Sequence, residues 1–461
     1  MATIYYHDIG DYLSREQKLK MVHDFRSVKR MDWTKVVPNE KSDWINQRGG
    51  EYDSYIILGD KKEKIKAFFS IFSSGDITHR DVWCYDASKE VLAERMRNTI
   101  DFYNEEKEKC LGCKSLDEVM KVVSTDDTRI KWDQKLYEHA LKGVVEKFEE
   151  CNIRLACYRP FFKQWLYYDK SFNWSQYQLP KLFSSKSKIN SLICVSGIGG
   201  SKGFSSLITD CIPDLQTMFN GQCFPLYYYE ENTHKQKTLF DDTSDDDYIR
   251  HDGITDWILK EVRNRYNGAK NITKEMIFYY VYGLLHSKDY RERFAADLKK
   301  SLPRIPIVER IEDFMAFYKA GKQLAELHLN YEEVPPHPEV VVHITAQRAD
   351  QDDYDYFRVD PKMKFRSKDD KSVILYNANI RLENIPLKAY DYIVNGKSAI
   401  EWIVERYCVS IDKKSLIKND ANDWGREHGK PRYILDLLLS VINVSTQTVD
   451  IVNSLPHLTF D

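Results

Sequence analysis

What the chain lacks narrows its function before anything it contains. No apolar run approaches the ~18–20 residues of a membrane span. The first residues, Met1-Ala2-Thr3-Ile4-Tyr5-Tyr6, show no basic segment followed by an apolar one, as secretion would need. A soluble, cytoplasmic chain without a membrane partner is expected. Cysteines are nine, an odd number at scattered spacing, which argues against a secreted disulfide framework. Cys110-Leu111-Gly112-Cys113 is a lone C-x-x-C with no second ligand pair nearby, so no metal site is expected. There is no H-E-x-x-H, G-x-S-x-G, DEAD-type box or EF-hand loop. Pro213-Asp214 is followed by no E-x-K of a metal nuclease. The tetrapeptide [NDS]-P-P-[YFW], which holds a flipped base in amino-methyltransferases, is missing: Pro335-Pro336 lies between Val334 and His337. No catalytic residue is expected in this chain. A dominant charge is absent too, with 68 basic residues against 71 acidic. That excludes a globally basic nucleic-acid coat, so a polyanion would have to meet a local basic face.

What is present is aromatic. The stretch from Tyr158 to Tyr229 holds Tyr158-Arg159-Pro160-Phe161, Trp165-Leu166-Tyr167-Tyr168, Tyr177-Gln178-Leu179-Pro180 and the glycine-rich turn Ser196 to Phe204. Rings, prolines and glycines alternate there with single cations. Such a composition suits a rigid, irregular surface that offers rings and charge to a large polyanion.

The apolar pattern predicts α+β: a β-rich recognition lobe with a helical insertion and C-terminal helices. Residues 1–60 begin with a strand, Ile4-Tyr5-Tyr6, expected to close a sheet whose other strands lie upstream. A helix over 14–25 and a loop follow. Residues 61–250 form the β-rich lobe, with a strand at 67–72, a returning strand at Val82-Trp83-Cys84-Tyr85 and helices over 89–107 and 132–149. Central strands are expected near 151–158, 164–168, 191–196 and 223–229. Residues 251–330 are helical, with a helix opened by Thr273, a break at Leu302-Pro303-Arg304-Ile305-Pro306 and a helix over 311–327. Residues 331–461 are mixed and close on a helix over 432–453.

Three sets of residues could meet a ligand. Gly197-Ile198-Gly199-Gly200-Ser201-Lys202-Gly203 has neither Walker nor G-x-G-x-x-G spacing. It can still bring backbone N–H groups and Lys202 to a phosphate diester, or serve only as a tight turn. Gly75-Asp76-Ile77-Thr78-His79-Arg80-Asp81 is a turn whose Thr78, His79 and Arg80 can reach bases or phosphates. Alternatively Arg80 pairs with Asp76 or Asp81. Arg159 and Lys163 flank Phe161 and could line a groove, although Arg159 could equally be a buried partner of Asp169. Lys181, Lys186 and Lys188, and Lys362 to Lys368, are looser cationic runs of the kind usually solvated.

Taken together, these segments resemble the C-terminal part of type ISP restriction–modification enzymes. The resemblance is carried by the run Tyr5 to Glu16, Asp43-Trp44-Ile45-Asn46-Gln47-Arg48, Tyr158-Arg159-Pro160-Phe161 with Trp165-Leu166-Tyr167-Tyr168, and Ser196 to Phe204. Phe278 to Ser287 and Asn422-Asp423-Trp424 also carry it. It runs from end to end. It implies large bacterial enzymes that join nuclease, ATP-dependent translocase, N6-adenine methyltransferase and target recognition domain in that order. On that basis the chain would be the target recognition domain and would bind double-stranded DNA. Its partners would be the methyltransferase and translocase domains, and S-adenosylmethionine, ATP and Mg would sit upstream. Thr78, His79, Arg80, Ser201 and Lys202, with Arg159 and Lys163 behind them, are the expected DNA-binding residues. A module that docks other domains through residues 254–330, with little DNA binding of its own, is the alternative. An enzyme with an unrecognised site is a third.

Overall fold

The computed structural model describes residues 3–9, 14–45, 47–48, 50–63, 66–184, 189–200, 202–232, 248–367 and 369–460. Two compact units divide the chain, Met1–Ser54 and Tyr55–Asp461.

In the first unit Ile4–Tyr6 pairs antiparallel with Thr34–Val36, Ile4 opposite Val36. The opening strand therefore finds its partner downstream, in a segment expected to be loop. The helix Arg15–Phe25 starts at a reciprocal cap: Gln17 N donates to Ser14 Oγ at 3.2 Å and Ser14 N to Gln17 Oε1 at 2.7 Å. Two orphan donors of the first turn are satisfied this way.

Three four-stranded sheets organise the second unit. One runs Ile212–Pro213, Ile153–Arg159, Phe162–Tyr167, Tyr85–Asp86, with 212–213 parallel to 153–159 and the other pairs antiparallel. Its hairpin turns at Pro160 and Phe161. Phe161 holds φ 58°, where glycine is usual, and its buried ring meets Tyr331 edge-on at 5.2 Å. The second sheet, Ser73–Ser74, Gln222–Pro225, Leu192–Val195, Ser206–Thr209, is antiparallel. All eight residues of 192–195 and 206–209 are buried, so it is covered on both faces. The third joins Val341–Ile344, Ile380–Glu383, Ile374–Leu375 and Lys364–Phe365. Mixed strands and separate helices make the fold α+β, as the apolar pattern indicates.

Helices carry the core between these sheets. Lys274–Leu284 begins where Thr273 Oγ1 accepts from Met276 N, and it buries Ile277, Tyr280, Val281 and Leu284. It packs along Ile311–Leu329. From the latter, His328 reaches Tyr282 Oη at 2.7 Å and Thr448 Oγ1 at 2.9 Å, tying three helices together. Burial, with Arg291 nearby, lowers the His328 pKa to about 3 and keeps the ring neutral. The third of these helices, Tyr433–Asn453, is long and apolar enough to cross a membrane, but 72% of its most apolar window is buried inside the fold. Asp436, Ser440 and Asn443 interrupt its apolar letters and hid that length from the sequence.

Among the expected strands and helices four change. Residues 67–72 form no strand: Phe69 makes one isolated bridge to Ile254, and the strand is Ser73–Ser74. The segment 82–85 is not a returning strand: Asp81–Cys84 is one helical turn and the strand is Tyr85–Asp86. Four apolar residues carry no period that separates the two states. The helix expected over 132–149 is Gln134–Leu141, because Gly143 at φ 69° turns the chain and Val144 N caps the His139 carbonyl at 3.0 Å. The strand over 223–229 splits at Pro225 and Leu226, and Tyr227–Glu231 pairs with Tyr248–Asp252 in a ribbon of its own.

Candidate nucleic-acid interface

The turn at 75–81 is fixed from two sides. Asp76 N donates to Pro213 O at 2.8 Å, Leu215 N returns to Asp76 O at 2.9 Å, and Ile77 exchanges both backbone bonds with Ser175. Gly75 lies so close to the Asp214 backbone that a Cβ would sit 2.5 Å from it. Within the turn, Thr78 Oγ1 bonds Asp81 Oδ1 and accepts from Arg80 N at 3.1 Å.

Its three candidate side chains diverge. Thr78 is buried. Arg80 is only 2% exposed and turns inward to Asp133 at 2.5 Å, with its guanidinium over the Phe172 ring at 5.8 Å. Its partner is neither Asp76 nor Asp81. His79, at φ 58°, is pushed outward and stacks on the exposed ring of Trp174 at 4.7 Å. Trp174 is held in turn by Lys135, whose Nζ donates to the carbonyls of Lys170, Asn173 and Trp174.

Beneath the turn lies a buried polar knot. Arg159 Nη1 donates to Asp214 Oδ1 at 2.7 Å and Tyr85 Oη to Asp214 Oδ2 at 3.3 Å, while Tyr158 Oη donates to Asp81 Oδ2 at 3.2 Å. Arg159 also lies 3.5 Å from Asp81, so its partner is Asp214 rather than Asp169. Burial outweighs the arginine and lifts the Asp214 pKa to about 7. Asp76 is raised as well, by burial and by Asp214, and neither of its carboxylate oxygens has a hydrogen-bond partner among the described residues.

The remaining candidates sit apart from this knot. Lys163 pairs with Glu332 at 3.4 Å over the Tyr331 ring; burial opposes its charge, but Glu332, Cys211 and Asp210 together hold its pKa above the usual lysine value. Lys202 is exposed above the Trp402 ring at 5.9 Å. In the glycine-rich turn, Gly197 N and Gly199 N are engaged with the carbonyls of Phe219 and Lys299, so these two donors serve the fold. Ser201, Lys186, Lys188 and Lys368 lie outside the described residues, as does the acidic segment 241–247.

The turn forms one wall of a cleft of about 410 Å³. His79, Arg80, Asp81, Val82 and Trp83 line that wall; Asp412, Lys414 and Ser415 line the other, and Asp127 and Lys131 close the end. The second wall is the tip of a hairpin, Val409–Ile411 against Lys418–Asp420, which the pattern reading missed. Asp412 and Ser415 are turn formers, but only Val409-Ser410-Ile411 alternates; the paired strand, Lys418-Asn419-Asp420, carries no apolar pattern. Lys131, Lys413 and Lys414 are exposed. The structure thus brings Thr78, His79, Arg80 and Arg159 together around Asp81, and places Lys163 and Lys202 elsewhere. Among the described residues no group of three or more His, Cys, Asp or Glu could hold a metal.

The profile of the Type ISP C-terminal specificity domain family matches residues 67–437, and the chain belongs to that family. Solved relatives agree. A nuclease-deletion mutant of the Type ISP restriction-modification enzyme LlaGI, in complex with a DNA substrate mimic, is 35% identical with a TM-score of 0.82, over 98% of this chain and 33% of that one. The ATP-dependent Type ISP enzyme LlaBIII bound to DNA is 35% identical with a TM-score of 0.84, over 100% and 28%. The DrdV–DNA complex is 27% identical with a TM-score of 0.80, over 99% and 43%. This chain therefore spans less than half the length of each. No curated protein matches.

Proposed function

We propose that this chain reads the DNA sequence for a Type ISP restriction–modification enzyme. The observation that carries the reading is the match of its whole length, at 35% identity, to DNA-bound Type ISP enzymes. In this reading the cleft beneath His79 receives a groove edge of the duplex. The exposed lysines hold phosphates, which position the protein, and the His79–Trp174 stack offers rings to bases or sugars. The buried Thr78, Arg80 and Arg159 act behind His79 as its rigid support, and Lys202, with Ser201 beside it, makes a separate phosphate contact. Lys163, paired with Glu332, would contribute charge away from this cleft.

The partners are double-stranded DNA and the methyltransferase and translocase domains of the same enzyme. S-adenosylmethionine, ATP and Mg belong to those domains, and the target is an adenine flipped from the duplex that this domain holds distorted. Residues 61–250 supply the reading lobe, 251–330 a helical support and 331–461 the second wall, with 1–60 the exit from the methyltransferase. The bacterial cytoplasm is where such an enzyme meets DNA.

Selection from a random duplex library by the purified chain, at two salt concentrations, tests this. One enriched short or gapped motif containing adenine is the expected result. Salt-sensitive binding without a motif would reduce the function to phosphate docking. No binding at either salt would favour a domain-docking role for the helical part.

A further inference from the structure

The hairpin tip opposite His79 is built in a way that core packing does not explain. Asp412 Oδ1 accepts from Lys414 N at 3.0 Å, Ser415 N at 2.8 Å and Ser415 Oγ at 2.9 Å. Leu416 N donates to Asp412 O at 3.0 Å and Asp412 N to Ile417 O at 2.9 Å. Asp412, Lys414, Ser415, Leu416 and Ile417 are thereby pinned. Yet this rigid frame holds Leu416 at φ 59° with 66% of its surface exposed. Glycine or asparagine would relieve the backbone, and a polar residue would suit the solvent. Two costs fall on one side chain that packs on little of its own chain. An outlier held by an over-determined frame points to a contact made outside the molecule.

The neighbours say what kind of contact. Lys413 and Lys414 precede Leu416 on the tip, both exposed, and neither they nor Lys131 across the cleft makes an ion pair among the described residues. Asp412 is spent on donors of its own tip while Lys131 offsets its charge, and Asp81 and Asp127 are the other carboxylates lining the cleft. Lysine is depleted at the centres of protein–protein interfaces, so a protein groove is a poor match for this tip. An apolar side chain flanked by free cations matches a base step between two phosphates, where leucine is a known kind of wedge.

We propose that Leu416 is a wedge that enters between base pairs of the bound duplex, with Lys413 and Lys414 on the flanking phosphates. The proposal rests on the DNA-reading function above and adds its mode of distortion: unstacking is done from the hairpin wall while the His79 wall holds the adjoining groove.

The test uses the full chain and duplexes drawn from the selected pool, carrying 2-aminopurine at successive adenines. Wild type should raise the fluorescence at one step, the signature of unstacking. Leu416→Ala should lose that rise while affinity changes by less than about tenfold. Leu416→Gly should lose it too and show a higher thermal midpoint, which separates loss of the wedge from loss of fold. Lys413→Ala with Lys414→Ala should keep the rise at low salt and lower the salt slope by about two units. Sequence-selective binding without any rise, or a rise retained by Leu416→Ala, overturns the wedge and leaves the DNA-reading function standing. Absence of binding by wild type overturns both.

Discussion

Gly283 and Gly321 meet backbone to backbone where the helices Lys274–Leu284 and Ile311–Leu329 cross. A Cβ on Gly283 would overlap the Phe317 carbonyl oxygen, and one on Gly321 would overlap the Tyr279 carbonyl oxygen. Helical backbones cannot separate locally without opening the aromatic layers beside them, including Tyr280 stacked on Phe314 at 4.6 Å. Gly321→Ala should therefore destabilise the chain by about 1–3 kcal/mol, despite alanine's better helix propensity. Urea unfolding measures it, and an unchanged midpoint would mean that the helices have room to part.

Arg80 and His79 are adjacent but should behave as opposites. Arg80→Ala leaves its own buried space empty and the partly buried Asp133 without its cation, and should cost about 2–3 kcal/mol of stability. The salt slope of DNA binding should not change, because the guanidinium is buried against Asp133. His79→Ala removes the ring on Trp174, so stability should hold while affinity falls. Paired melting curves and salt titrations decide the case, and a lower salt slope for Arg80→Ala would place its charge on a phosphate.

Asp76→Asn should reveal a pH-dependent cost. The folded pKa of Asp76 is raised above its unfolded value, so the folded state holds a proton that the unfolded state gives up. Stability from this group is full below about pH 3.9 and is lost as pH rises toward the folded value. The variant carries no such group. Its advantage over wild type should be near nil at pH 4 and grow by about 1.4 kcal/mol per pH unit until the folded carboxyl ionises. A stability difference that is flat from pH 4 to 8 would mean that the carboxyl titrates normally.

Lys202→Ala should weaken binding on all duplexes alike and lower the salt slope by about one unit. Its side chain lies over Trp402 and against Gly396, outside the cleft, so sequence preference should not change. Binding unchanged at low salt would remove it from the interface.

Elements with a long period were legible before any coordinates. The helix Lys89–Glu108 and the helix Ile311–Leu329 follow from their apolar stripes, and Ser14 with Gln17 spells its own cap. Two- and three-residue strands such as Val409–Ile411 carry too little pattern to be seen, so the second wall of the cleft was missed. The inward turn of Arg80 was hidden for another reason. Its choice between Asp76, Asp81 and Asp133 is tertiary, and only the fold brings Asp133 within reach. In the same way a positive φ at His79 or Leu416 is set by neighbours that no local pattern names.

The walls of the cleft come from opposite ends of the second unit, and this fixes when the cleft can exist. A ribosome completes the His79 turn early and the Leu416 hairpin late, with most of the unit between them. A chain that stops before the hairpin therefore lacks the cleft. Such an unfinished copy is silent at this cleft, because neither wall encloses it alone.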